Sequence, residues 1–182
     1  MRAHLSTLAA SLTLAACGAI AEPADGGDDG GVADAVSSAD YNTPTVCTSG
    51  QGGPTANVAA MRPGEACLSC HSLGPVQGTY PFMGTIYPTA HEPNDCVGAS
   101  SVAYPGVQVI VTDAQGKTFA LTPNASGNFY GPLSGVPVMP YRAKVTYQGR
   151  ELAMLSPETS GDCNACHTEQ GTNGAPGRVV LP

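Results

Sequence analysis

Tyr141, Ala143, Val145 and Tyr147 alternate with Arg142, Lys144 and Thr146. A period of two puts the two sets on opposite faces of a strand, so one face is expected to be buried and the other wet. Val107, Val109 and Val111 repeat the pattern and run into Asp113-Ala114-Gln115-Gly116. Phe119 and Leu121 follow on a return strand, which together reads as a hairpin. Gln148-Gly149 predicts a second reversal, and the stretch Asn124 to Gly127 predicts a turn before Phe129. Residues 82–155 therefore read as β-structure. Short strands punctuated by Gly and Pro predict a mainly β fold, a small antiparallel β-sandwich flanked by two loop-rich segments.

The chain opens differently. Arg2 precedes a short apolar run from Leu5 to Ala16. That run is too short to span a bilayer, which takes about 20 apolar residues, and fits a secretory signal. It ends in Leu14-Ala15-Ala16-Cys17, which resembles the lipobox of bacterial lipoproteins. The resemblance implies that residues 1–16 are removed and that Cys17 becomes a lipid anchor. Gly18 after the cysteine implies the outer membrane of a Gram-negative bacterium. Residues 17–45 are rich in Gly, Ala, Ser and Asp and read as an acidic flexible tether. The folded domain is expected over residues 46–182.

Composition and charge remove some function classes. The 182 residues include 23 Gly and 16 Pro, which disfavours long helices. The net charge is −7. Six of the 14 acids (Glu22, Asp25, Asp28, Asp29, Asp34 and Asp40) crowd into the tether without a Lys or Arg. An acidic chain lacks the basic footprint that nucleic acid demands.

The cysteines carry the chemistry. Apart from Cys17 there are Cys47, Cys67, Cys70, Cys96, Cys163 and Cys166. Four of them form "CLSCH" at residues 67–71 and "CNACH" at residues 163–167. Cys-x-x-Cys-His is the attachment motif of c-type haem. Its two thiols add to the porphyrin vinyls, and its histidine reaches the iron. Two covalent haems c are thus expected, one on Cys67, Cys70 and His71, the other on Cys163, Cys166 and His167. If so, Cys47 and Cys96 remain as a disulfide pair, expected in an oxidising compartment. Three readings compete: a four-cysteine zinc site, a redox dithiol, and plain disulfides. Zinc gives no reason for a histidine after both pairs, and the dithiol needs a βαβ context that the sequence does not show.

The second axial ligand of each iron is a separate question. Past the signal only His71, His91 and His167 occur, so His91 is the one candidate distal histidine. It lies in the Pro-rich stretch "PTAHEPND". Among Met61, Met83, Met139 and Met154, the last is the favoured distal methionine, against core packing as the ordinary use of Met. Arg178 is read as solvated, with a haem propionate as its alternative partner.

The stretch "PGVQVIVTDAQGKTFALTPNASGNFY", with "YRAKVTYQGRELA", resembles the carboxypeptidase-regulatory-like, transthyretin-like β-sandwich over about residues 102–153. The landmarks are Gly106, Val107, Asp113, Gly116, Gly127, Phe129 and the Tyr141 strand. That module brings no active site. With the bracketing motifs, the chain resembles small diheme c-type cytochrome lipoproteins in which a sandwich separates haem segments 46–81 and 156–182. The resemblance implies one-electron transfer with other redox proteins, cytochromes or quinol-linked reductases, at a membrane reached through Cys17. Two functions from other classes stand beside it. One is a non-catalytic binding or structural lipoprotein, its cysteines holding zinc or forming disulfides. The other is a small peroxidase-like haem enzyme with an open iron position.

Overall fold

A computed structural model describes residues 39–52, 61–71, 80–132 and 134–182. The signal, the Cys17 anchor and the tether through residue 38 lie outside the described residues, and no helix among the described residues is long and apolar enough to cross a membrane. The elements run α1 (Cys67–His71), β1 (Phe82–Tyr87), β2 (Gln108–Thr112), β3 (Thr118–Leu121), β4 (Asn128–Gly131), β5 (Arg142–Tyr147), β6 (Arg150–Ala153), a 3-10 turn (Cys163–Ala165) and β7 (Val179–Val180). They form a four-stranded sheet, β3-β2-β5-β6, and a three-stranded sheet, β4-β1-β7. The fold is mainly β, a small sandwich, as the periodicity predicts.

The hairpins follow from turn chemistry. Asp113 Oδ1 accepts the N–H groups of Gln115 and Lys117, both at 2.9 Å, and Gly116 supplies the left-handed backbone (φ +79°). β2 and β3 then pair from Thr112–Thr118 to Val109–Leu121. Gln148 and Gly149 both take positive φ (+50° and +77°), the two-residue reversal whose twist suits adjacent strands. The alternation survives in three dimensions: Val109, Val111, Phe119, Leu121 and Val145 point inward. There they meet Phe82, Ile86, Phe129 and Tyr141 from outside the four-stranded sheet. Burying each of the large apolar side chains stabilises by about 1.5–3 kcal/mol.

β1 departs from the alternating rule. All six of its residues, FMGTIY, are buried. It lies between β4, antiparallel, and β7, parallel, with Ile86 opposite Val179 and Tyr87 opposite Val180. The carboxy-terminal segment, expected as loop, thus returns to the sheet and adds a parallel pair to a sandwich expected to be antiparallel. β1 is buried because the sandwich core covers one face and the loops carrying the Cys-x-x-Cys-His motifs cover the other.

Candidate haem-attachment centre

The two motifs are 96 positions apart in the chain and adjacent in space. Asp162, just ahead of the second motif, reaches the start of α1. Its Oδ1 accepts the Cys67 N–H at 3.1 Å and its Oδ2 the Leu68 N–H at 2.9 Å. The first N–H groups of a helical turn have no partner within the turn, and a carboxylate answers two of them here. Asn164, inside the second motif, makes the next link. Its amide donates to Glu65 O at 2.9 Å and to Thr85 Oγ1 at 3.1 Å, and its Oδ1 accepts the Thr85 N–H at 3.0 Å.

Thr85, in the middle of β1, is the common anchor. Its hydroxyl also accepts the Gly64 N–H at 2.9 Å and donates to Asn128 Oδ1 at 2.6 Å. One buried strand residue therefore holds the loop before the first motif and the turn of the second. Gly84, beside it, has to lack a side chain. A Cβ there would lie 2.6 Å from the Phe129 ring and 2.9 Å from Cys163 Cβ.

Arg178 closes the arrangement from β7's side. It is neither solvated nor at the surface, being 1% exposed. Its guanidinium donates to Glu92 O, Gly64 O, His167 O and Asn94 Oδ1, and it stacks over the Tyr87 ring. Burial pulls its pKa down, against the pull of nearby acids and Tyr87. With no carboxylate bonded to it, this cation is satisfied by carbonyls from both motif loops. The sequence hid this role, because an Arg near a chain end gives no sign of burial.

The second motif's histidine is well defined. His167 is buried, and its Nδ1 donates to Gly177 O at 2.9 Å. Burial lowers its pKa; the Gly177 bond opposes that, and the Arg178 charge adds to it. The neutral ring with Nδ1–H bound to a carbonyl is the tautomer that leaves Nε2 as a metal ligand. Met154, Tyr141, Glu158, Asp162 and Cys163 line the same small cavity as His167, about 50 Å³. That space holds a few waters. It is not a porphyrin pocket, since sites for ligands of that size run to several hundred Å³. The first motif is more open: no residue of α1 is buried, and Cys70 is exposed.

His91 sits elsewhere. Its Nδ1 faces Glu169 O at 2.5 Å and its Nε2 faces Tyr41 O at 2.8 Å, so both ring nitrogens are engaged by backbone carbonyls. Binding an iron would require one of these contacts to break.

The thiols weigh against two competing readings. Cys47 and Cys96 are joined as a disulfide, with Cα atoms 5.6 Å apart. Cys67, Cys70 and Cys163 are free, while Cys166 is disulfide-bonded. A thioether at Cys166 therefore requires that bond to be reduced first. Burial pushes the Cys163 thiol up to about 12; a Tyr141 hydrogen bond opposes this and the Asp162 charge adds to it. Burial, with the charges of Asp162 and Cys163, raises Cys67 further still. Redox dithiols need the opposite shift, a stabilised thiolate. In a tetrahedral zinc site with Zn–S near 2.3 Å, sulfurs stand about 3.8 Å apart. Among the described residues the one Cys, His and acid group that close together is Cys47, Glu92 and Cys96, which includes none of the four motif cysteines.

No protein-family model, curated protein or solved structure matches this chain.

Proposed function

We propose that this chain is an exported, lipid-anchored electron carrier with two covalently attached haems c, one on Cys67, Cys70 and His71 and the other on Cys163, Cys166 and His167. The observation that carries the reading is the presentation of His167 within a motif that abuts its twin. The ring is buried and neutral, and its Nδ1 is spent on Gly177 O. The residue types match the group, two cysteines followed by an imidazole in both places, but only the first motif offers two free thiols; the second would need its Cys166 disulfide reduced and its cavity of about 50 Å³ opened. Haem supplies one-electron chemistry when bound.

The protein's own part is to hold and shield. Arg178 fixes the carbonyl of His167, Gly177 fixes its ring, and Asp162 fixes the turn that carries Cys67 and Cys70. Met154 lines the same small cavity as His167; were it to supply the second iron ligand, its thioether would raise the potential. Lipid attachment at Cys17 would keep the carrier at a membrane, where cytochromes or quinol-linked reductases can exchange electrons with it. The peroxidase-like reading calls for an unengaged His91, and its two carbonyl contacts give that no support.

The test is a haem stain and optical spectrum of the full chain matured in cells that make c-type cytochromes. Covalent low-spin haem at two per chain is expected, falling by about half in Cys70→Ala and in Cys166→Ala. Absence of covalent haem, or variants that match the wild type, would overturn the assignment.

A further inference from the structure

We propose that Cys47, Cys96 and Glu92 form a redox-gated zinc site, closed while the two cysteines are bonded to each other and opened when that bond is reduced. It is separate from both Cys-x-x-Cys-His motifs and does not rest on the haem reading. The geometry carries it. The two sulfurs and a Glu92 carboxyl oxygen all lie within 4.8 Å of one another. Glu92 Oε2 stands 3.2 Å from Cys96 Sγ, and Ser49 Oγ stands 3.4 Å from each sulfur. In a tetrahedral zinc site, bonds of about 2.3 Å to sulfur and about 2.1 Å to oxygen put those two ligands about 3.5 Å apart. The sulfur–oxygen spacings of such a site are thus already present, and only the two sulfurs have to separate.

The surroundings are those of a metal ligand. Glu92 is 0% exposed. Its Oε1 accepts the hydroxyls of Thr48 and Thr89, and its Oε2 accepts the Thr48 N–H at 2.9 Å. Bonds of this kind orient a metal-binding carboxylate. The carboxyl group enters none of the described ion pairs, and Arg178 bonds the Glu92 main-chain oxygen instead. Beside the disulfide, Oε2 faces a sulfur that has no proton to share. Two thiolates with oxygen donors suit zinc. The opening step balances. A dithiol reductant passes two electrons and two protons to the disulfide, which leaves Cys47 and Cys96 as thiols and the reductant as a disulfide. Zinc then displaces the two thiol protons. The ion would fasten residues 47–49 to residues 92–96 in place of the crosslink.

The experiment uses the full chain, reduced with a phosphine, and zinc ions as the probe. Alkylation mapped by mass spectrometry should show Cys47 and Cys96 protected together when zinc is present. The Cys47→Ser/Cys96→Ser chain keeps all four motif cysteines. The reduced wild type should bind one more zinc per chain than this variant, and without reductant the two should bind equally. Both reduced chains lack the crosslink, so its loss does not separate them. Glu92→Gln should weaken the extra zinc by about tenfold or more. Cys47 and Cys96 labelled as fast with zinc as without it overturn the site, and do so without any variant. Equal zinc in the two reduced chains overturns it as well. An unchanged affinity in Glu92→Gln overturns the part given to the carboxyl group.

Discussion

Replacing Asn164 by Ala tests the junction between the motifs without needing any cofactor. The side chain is 2% exposed and makes three short hydrogen bonds, with the Thr85 N–H, Thr85 Oγ1 and Glu65 O. Alanine leaves the Thr85 N–H and the Glu65 carbonyl without that partner. A buried polar group left unsatisfied costs about 1–3 kcal/mol. Thr85 Oγ1 keeps Gly64 and Asn128 and adds little to the loss. Two orphaned groups with some relaxation come to about 2–4 kcal/mol. For a folded part of this size, 1 kcal/mol moves the melting temperature by about 3–4 °C, so the expected drop is about 6–16 °C. Thermal and urea unfolding of the unloaded chain would measure it. Asn164→Asp keeps the acceptor for the Thr85 N–H but turns a carboxylate oxygen toward Glu65 O, so it should also destabilise. A drop under about 2 °C in Asn164→Ala would refute the claim that this side chain clamps the motifs together.

Gly84→Ala places a methyl group 2.6 Å from the Phe129 ring and 2.9 Å from Cys163 Cβ, so overpacking should cost about 1–3 kcal/mol; wild-type unfolding in urea would contradict that crowding. Replacing Cys47 and Cys96 by Ser opens a loop with a sequence separation of 49, and the chain-entropy relation gives a loss of about 4 kcal/mol, read as a lower urea midpoint. An unchanged midpoint would mean that the crosslink does not form. At Asp113, burial acts to raise the carboxyl pKa, but the N–H groups of Val138, Lys117 and Gln115 and the Lys117 charge outweigh it and hold the group below its ordinary value. A depressed folded value means that the stabilisation is complete above the unfolded pKa, about 3.9, and is lost as pH falls through the folded one. Asp113→Asn should therefore flatten the acid side of the stability–pH curve, and an acid limb as steep as the wild type's would count against it.

The strands of the four-stranded sheet were legible because each carries its information locally. Val109, Val111, Phe119 and Leu121 alternate with polar neighbours, and Asp113, Gly116 and Gly149 mark the reversals. β1 was harder to read, because a strand covered on both faces loses its alternation. The motif residues were legible as well, since two thiols and an imidazole at that spacing form a local chemical pattern. Their supporting residues were not. Asp162 and Asn164 sit beside Cys163 in the sequence, yet what they bind lies some 80 to 100 positions away. Arg178 looks in sequence like any surface arginine.

Local order alone determined which segments become strands, where they turn, and which six side chains make up the two Cys-x-x-Cys-His motifs. The tertiary structure decided that β7 lies parallel to β1, that Thr85 anchors both motif loops, and that Asp162 stands between the motifs. The physical reason is the range of the interaction. Turn and strand preferences act within a few residues, whereas a buried carboxylate, amide or guanidinium takes whatever donors and acceptors the closed chain brings to it.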